Sequence, residues 1–275
     1  MNTLARITVW SDISGIDVFT NASESSPDCV EGKTWKTEGD LASDEIQEVM
    51  EWLESQGARP AYKRLGDFQC YKLELVRIYS DDELRDYRWF TLEPSAVYTG
   101  GIWEGTWHID KSSMDEVVPL ARVAGEQGIV VSTPFRSEIL ASCPIGVTMT
   151  PIAVVADQSG ASEEADAPVA YSLGSEMQFP PLLTPPCEFV NASARPVDTC
   201  DHTKGFFLAE GHYREPELHY RKEDVTRVGN ADVAMTNEVF GFRHQISQGL
   251  VVSHRFRQLV HSKGIQAHWF PVHEH

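Results

Sequence analysis

Residues 128–140, GIVVSTPFRSEIL, and residues 249–260, GLVVSHRFRQLV, repeat one another and decide the fold of this chain. In each stretch, a short apolar run that begins with glycine is typical of a buried strand. The serine that follows is a preferred N-cap, and it predicts a short helix immediately after the strand. Each helix is followed by a segment of alternating polarity, VTMTPI or IQAHWFPV, which predicts a returning strand.

The two copies agree at positions that have the same structural role. The identical positions are Gly128, Val130, Val131, Ser132, Phe135, Arg136 and Pro151, matched by Gly249, Val251, Val252, Ser253, Phe256, Arg257 and Pro271. A helix between two strands must bury its apolar face on a sheet. We therefore predict an α+β fold made of two related modules, an internal duplication, each with a mainly antiparallel or mixed sheet and short helices. The first module spans residues 1–159, with its copy at 128–152, and the second spans residues 160–275, with its copy at 249–272.

The segments around the copies predict further elements. LARITVW near the start and YRWFTLE from Tyr87 alternate as strands do. The stretch SDEIQEVMEWLESQG has one apolar helical stripe, with Ser43 as its predicted N-cap and Gly57 as its predicted end. Residues 113–128, SMDEVVPLARVAGEQG, predict another helix. Residues 156–186 are rich in Ala, Ser, Gly, Pro and acidic side chains, which is a linker composition.

Charge and composition limit the partners of the protein. The 275 residues have a formal net charge of -18, which repels nucleic acid and anionic membranes and attracts a basic protein. The sequence has no run of about 20 apolar residues, as a membrane helix requires, and no apolar leader at its start. Five scattered cysteines are typical of reduced thiols, so we expect a cytoplasmic protein.

Cysteine and histidine are the candidate metal ligands. Nine of the ten histidines follow residue 200, and the candidates closest to a ligand cluster are Cys187, Cys200 and His202. Zinc sites usually contain paired C-x-x-C or H-x-x-x-H spacings, which the chain lacks. We therefore expect no bound metal or other cofactor. A metal-dependent hydrolase that uses the histidine-rich second module is the alternative.

Catalytic motifs are also absent from the sequence. Ser132 and Ser253 follow strands and precede helices, but G-x-S-x-G surrounds neither of them. The chain contains no P-loop and no G-x-G-x-x-G motif. We expect no catalytic residues and a protein that is not an enzyme.

Tryptophan and arginine side chains are the candidates for binding a partner. Trp89, Trp103 and Trp107 lie on strand-like segments and form an aromatic patch if they share a sheet face, or otherwise fill the core. Arg136 and Arg257 occupy matched positions in the two copies. The alternative for both arginines is a packing role, in which the stem of the side chain covers apolar surface.

The C-terminal part of the chain resembles a known family. It is similar to the end of the bacterial double-CxxCG-motif family, whose members are predicted immunity proteins of toxin systems. The resemblance covers roughly the last 50 residues, and it is carried by Val251, Val252, Ser253, Phe256, Arg257, Gly264, Phe270, Pro271 and Val272. The C-x-x-C-G motifs of the family are absent, so its metal does not carry over. The resemblance implies a non-catalytic role in which the protein covers a toxin.

Charge, missing motifs and resemblance lead to one functional expectation. We expect a protein-binding protein, an immunity-type inhibitor of a basic bacterial toxin. The acidic surface would steer a basic toxin toward its inhibitor. An interaction protein outside toxin defence fits the same sequence features.

Overall fold

A computed structural model describes most of the chain. The described residues are 2–10, 34–60, 70–103, 106–114, 117–123, 128–155, 168–187, 189–190, 207–208, 217–242 and 245–275. They fall into two compact units, the first ending at Glu83 and the second beginning at Leu84. The boundary that the sequence predicts near Gly160 lies outside the described residues, so the division into modules 1–159 and 160–275 stays a prediction.

The first unit is a four-stranded sheet with one helix. Its elements are β1 (Asn2–Trp10), β2 (Thr34–Asp40), α1 (Asp44–Ser55), β3 (Arg59–Pro60) and β4 (Cys70–Ile78). The strand order is β2-β1-β4-β3, with β1 antiparallel to both of its neighbours. Alternate residues of β1 are buried and pack in one cluster with Ile46, Val49 and Leu53 of α1. This is the one-sided burial that period-two and helical patterns predict.

Helix α1 confirms the sequence prediction. The Ser43 hydroxyl accepts a hydrogen bond from the Ile46 amide at 3.4 Å and so caps the first turn. Gly57 follows the helix with a φ of 74°, a left-handed conformation in which glycine has no Cβ penalty. The helix therefore begins and ends where its capping residues require.

The second unit contains the remaining strands. They are β5 (Trp89–Pro94), β6 (Val97–Tyr98), β7 (Gly100–Trp103), β8 (Thr106–Asp110), β9 (Leu120–Val123), β10 (Ile129–Ser132), β11 (Thr148–Pro151), β12 (Ala153–Val155), β13 (Ala170–Gly174), β14 (Phe189–Val190), β15 (Phe207–Leu208), β16 (Leu218–Tyr220), β17 (Val233–Phe242), β18 (Gln245–Ser253) and β19 (Ala267–Glu274). Two five-stranded sheets have the orders β11-β13-β10-β9-β6 and β16-β19-β5-β18-β17. Smaller sheets are formed by β12-β8-β7 and by β14-β15.

Short helices connect these strands. They are α2 (Asp81–Leu84), α3 (Thr133–Ser142), α4 (Lys222–Val225) and α5 (His254–Ser262), together with 3-10 turns at Lys111–Ser113 and Thr226–Val228. None of the described helices has the length and apolar character that crossing a membrane requires. Several antiparallel and mixed sheets with short helices make this an α+β protein, as predicted.

Both sequence copies are strand–helix–strand units. The first is β10–α3–β11 and the second is β18–α5–β19. In both, an antiparallel strand separates the first strand from the returning one, β13 in the first copy and β5 in the second. The hydroxyl groups of Ser132 and Ser253 cap the helices by accepting from the amides of Phe135 and Phe256 at 3.4 and 3.2 Å. An internal duplication as the origin of this likeness stays a prediction.

The strands inserted into the two sheets come from opposite sides of the chain. We call residues 84–155 the first half and residues 168–275 the second half of the second unit. The sheet around β10 and β11 is completed by β13 from the second half, and the sheet around β18 and β19 by β5 from the first half. The two halves therefore exchange one strand each.

The helix predicted over residues 113–128 is wrong in its described part. Leu120–Val123 is strand β9, which pairs antiparallel with β10 and parallel with β6. Leu120, Ala121 and Val123 are all buried, and a short apolar run of this kind has no periodicity that separates strand from helix. Pairing with a neighbouring strand outweighed the local helical pattern.

The stretch of linker composition also contains a strand. Residues 170–174 form β13, which lies between β10 and β11. Ala170 and Leu173 are buried in the sheet. Ser172 and Gly174, together with the acidic and proline-rich residues around the strand, gave the stretch its linker composition, although β13 is paired on both sides.

Candidate metal centre

Strands β16 and β19 bring a cluster of histidines together. They are neighbouring parallel strands, and His219 is paired in register with His273. Side chains alternate along a strand, so residues two apart lie on the same face. Glu217 and His219 at one strand, and His273 and His275 at the other, therefore share one face of the sheet edge.

Three of these residues have the geometry of a metal site. One donor atom each from Glu217, His219 and His273 lies within 4.8 Å of the other two. The Nε2 atom of His273 lies 3.2 Å from a carboxylate oxygen of Glu217. The rings of His219 and His273 are stacked, with centroids 4.6 Å apart. Imidazole nitrogen and carboxylate oxygen bind zinc at about 2.0–2.2 Å, which requires donors grouped as closely as these.

His275 contacts this group from one side. Its Nε2 atom lies 2.8 Å from Nδ1 of His219, within hydrogen-bonding distance, and the two rings are stacked at 5.1 Å. Its main chain is bonded on both sides, because the His275 amide donates to the Tyr220 carbonyl and the Lys222 amide donates to the His275 carbonyl, each at 2.9 Å. The backbone thus holds the His275 ring beside His219.

A group of buried aromatic and aliphatic side chains lies beneath the histidines. Tyr220 is fully buried beside Phe179, and this burial, with the nearby charges of Glu238 and Cys187, raises the pKa of its phenol well above 10. On the other side, Tyr87 contacts His273 edge-on, with ring centroids 5.3 Å apart. The cluster therefore lies at the border between core and solvent.

The predicted metal ligands are not the residues of this cluster. Cys187 is buried in the core, and its sulfur lies 4.0 Å from the main-chain carbonyl of Glu217. Cys200 and His202 lie outside the described residues. Sequence reasoning considered C-x-x-C and H-x-x-x-H spacings and missed E-x-H at 217–219 and H-x-H at 273–275, the spacings that suit strands.

The three candidate tryptophans do not share one sheet face. Trp89 lies on β5 and is fully buried, in edge-on contact with Phe179 at 5.1 Å. Trp103 and Trp107 lie on β7 and β8, in a different sheet. Trp107 is half-buried and packs so closely on Gly128 that a Cβ atom there would collide with its ring. Packing explains the positions of Trp89 and Trp107.

The candidate arginines stack on aromatic rings at matched positions. The guanidinium carbon of Arg136 lies 4.7 Å from the ring centre of Tyr171, and that of Arg257 lies 5.4 Å from the ring centre of Phe90. Tyr171 is in register with Val131, as Phe90 is with Val252. Both arginines thus cover the inserted strand of their sheet, which agrees with a packing role.

A buried carboxylate joins the two halves of the second unit. The carboxylate of Asp232, 1% exposed, accepts hydrogen bonds from the Ile145 amide at 3.0 Å, the Ser253 hydroxyl at 3.1 Å and Nε of Arg255 at 2.7 Å. Burial, followed by the charge of Asp232, raises the pKa of the nearby Cys143 thiol to about 11. These bonds satisfy the carboxylate, so the group is structural.

Fold and site together define an α+β protein with a candidate metal centre at a sheet edge. No protein-family profile, curated protein or solved structure matches the chain. The resemblance of its last residues to the double-CxxCG-motif family therefore stays a prediction.

Proposed function

We propose that the protein binds a divalent transition-metal ion, with zinc as the best match, through Glu217, His219 and His273. The observation that carries this proposal is the grouping of their three donor atoms within 4.8 Å. Two imidazoles and one carboxylate are typical ligands of zinc and of neighbouring first-row metals. The parallel register of β16 and β19 supports the proposal, because it places His219 directly opposite His273.

Such an ion would stabilise the edge of the sheet. β16 is a strand of three residues, and among the described residues its partner in the sheet is β19, so it lies at the edge of the described sheet. An ion bound by side chains of both strands would link them. Because the site exists only in the folded chain, metal at 100 times its Kd would add about 2.7 kcal/mol to the free energy of unfolding.

Metal content and affinity test this proposal. We expect untagged full-length protein to bind one zinc ion per chain by calorimetry. Replacing His273 with Ala should weaken binding by more than about 100-fold, since losing even a residue that only supports a ligand costs 10–100-fold. The control is His261→Ala, at the exposed end of α5. Equal affinity of both variants would contradict the site.

The acidic surface supports a second candidate function. We propose that the protein also binds a basic protein, in the manner of an immunity-type inhibitor of a basic bacterial toxin. The net charge of -18 would steer such a partner. Helix α1 presents exposed carboxylates and contains no Lys or Arg. They are Asp44, Glu45, Glu48, Glu51 and Glu54.

Repulsion along α1 is a cost that a basic partner would relieve. Like charges three or four residues apart on a helix destabilise it by a few tenths of a kcal/mol per pair. Glu48 is three residues from both Glu45 and Glu51. A cationic surface placed over this face would offset this repulsion with attractions to each carboxylate.

Retention of a partner from native cells tests the second candidate. We expect one basic protein to co-purify at low salt and to be weakened at moderate salt. The double variant Glu48→Lys and Glu51→Lys should lose it, whereas Glu176→Lys, an exposed acid of the second unit, should keep it. If nothing is retained at either salt concentration, the inhibitor proposal is wrong.

A further inference from the structure

We infer that His275 is a positioning residue for His219 and not a fourth ligand, so that the bound ion keeps a coordination position open for water or a small anion. This inference rests on the proposed metal binding by Glu217, His219 and His273. It concerns what the site can do once it is loaded.

The short contact between the rings of His219 and His275 suits a positioning role for His275. A neutral imidazole has one nitrogen that donates and one that accepts. When Nε2 of His219 binds the ion, Nδ1 of the same ring carries the proton and can donate it to Nε2 of His275, which lies 2.8 Å away. Histidines that bind metals commonly donate their second nitrogen in this way, which fixes the ring and its tautomer.

Distances separate His275 from the ligand group. Its ring centre lies 6.3 Å from that of His273, whereas the ring centre of His219 lies 4.6 Å from it. Among the residues that the structure describes, the donors grouped within 4.8 Å are those of Glu217, His219 and His273 alone. The two main-chain bonds of His275 hold its ring beside His219.

Three protein ligands do not complete the coordination of the ion. Structural zinc sites usually have four protein ligands, and sites with three take water or an exogenous ligand in the remaining position. The side chains of His273 and Glu217 are 23% and 16% exposed, so parts of the cluster face solvent although the Nε2 atom of His273 is itself buried. The ion would therefore hold water that a small anion can replace. An open position is also what the alternative function, a metal-dependent hydrolase, requires.

Cobalt substitution tests the open position directly. Untagged full-length protein is loaded with Co²⁺, whose visible absorption reports the ligands of the ion, and is then titrated with azide. We expect azide to change the visible bands in a saturable way. Cobalt bands that do not respond to azide would show a closed site and overturn the inference, while leaving the metal proposal intact.

Variants at His275 test its role. His275→Ala should weaken cobalt binding by about 10–100-fold but leave the positions of the bands unchanged, because no ligand is lost. His275→Gln, whose amide can accept the same hydrogen bond, should restore most of the affinity. A shift of the bands in both variants would identify His275 as a ligand and overturn the inference. Absence of cobalt bands in the unmodified protein would overturn the metal proposal as well.

Discussion

In the first half of the second unit, β12 pairs in parallel with β8, and Ala153 lies opposite His108. In the second half, β19 pairs in parallel with β16, and His273 lies opposite His219. In each half this pairing follows the shared proline, Pro151 or Pro271, by two residues. The two halves therefore share this backbone arrangement, but the first half has one histidine at the pairing, His108, and the second half has a cluster of histidines.

This difference separates what the fold requires from what the site requires. The residues shared by the halves are caps, core positions and the arginines that stack on Tyr171 and Phe90. The residues that differ include Glu217, His273 and His275. Packing therefore accounts for the repeat, and the candidate function lies where the second half departs from it.

Separating the halves should have the largest effect. Fragments 1–159 and 160–275 each lack a strand that the other supplies, β13 or β5. We expect neither fragment to form its five-stranded sheet alone, and an equimolar mixture to recover the circular dichroism spectrum of the whole chain. Cooperative unfolding of an isolated 160–275 fragment would show that the exchanged strand is dispensable.

Introducing the candidate metal ligands of the second half at the matching positions of the first half should create a second metal site. Thr106 and His108 occupy alternate positions on β8, and Ala153 is paired with His108. The double variant Thr106→Glu and Ala153→His should raise zinc binding from one to two ions per chain by calorimetry. The single variant Ala153→His serves as the control and should bind one ion tightly. If the double variant also binds only one, the register alone does not create the site.

Removing the buried carboxylate should destabilise the protein strongly. The main-chain carbonyl of Asp232 accepts a hydrogen bond from the Ser253 amide at 2.8 Å, and that of Pro119 accepts one from the Ser132 amide at 3.0 Å. Asp232 and Pro119 therefore occupy equivalent places in the two halves. Only Asp232 also holds Arg255. Asp232→Ala should lower the free energy of unfolding in urea by about 3 kcal/mol. Pro119→Ala should cost about 0.5–1 kcal/mol, chiefly through the unfolded chain. Equal losses of stability in the two variants would mean that the ion pair between Asp232 and Arg255 does not stabilise the protein.

Replacing the capping serine should cost more stability in the second half than in the first, by a smaller amount than the effects above. Ser132→Ala removes one capping bond and should cost about 1 kcal/mol. Ser253 caps α5 and also donates to Asp232 at 3.1 Å. Ser253→Ala should therefore cost about 2 kcal/mol, with Thr at either position retaining most of the stability. Thermal unfolding of the four variants measures the difference, and a larger loss at Ser132 would reverse the comparison.

The smallest expected difference between the halves is the loss of stability at alkaline pH that the Cys143 thiol causes. The C-cap residue of α3 in the first half is the buried Cys143, whose thiol pKa is raised to about 11, and the C-cap residue of α5 in the second half is Lys263. Between about pH 9 and 11 the unfolded thiol is ionised and the folded one is not, so stability falls by up to about 1.4 kcal/mol per pH unit. Urea midpoints at pH 8 and pH 10 should differ less in Cys143→Ala. An unchanged pH dependence would mean that the thiol does not titrate as described.

Local patterns predicted the elements, and non-local pairing decided the rest. The caps at Ser43, Ser132 and Ser253 and the strand–helix–strand copies follow from spacing that the sequence displays directly. The partners of β5 and β13 do not, because pairing across the chain leaves no local signal. The same holds for the metal centre, since Glu217 and His273 meet only once β16 pairs with β19. The helix expected over residues 113–128 failed at Leu120–Val123 for the related reason that a short, mostly apolar run fits either structure.

Strand exchange has a consequence for synthesis on the ribosome. The Tyr87 carbonyl lies 3.1 Å from the ring of His254, 167 positions later in the chain. At 5–20 residues per second, roughly 10–30 s pass between translation of β5 and that of the strands beside it. During this time Trp89 and Phe90, fully buried in the finished protein, have no sheet to enter. We therefore expect chaperones that hold apolar segments to bind the nascent chain. The yield of the protein in cells should depend on them more than that of a protein whose domains close in order.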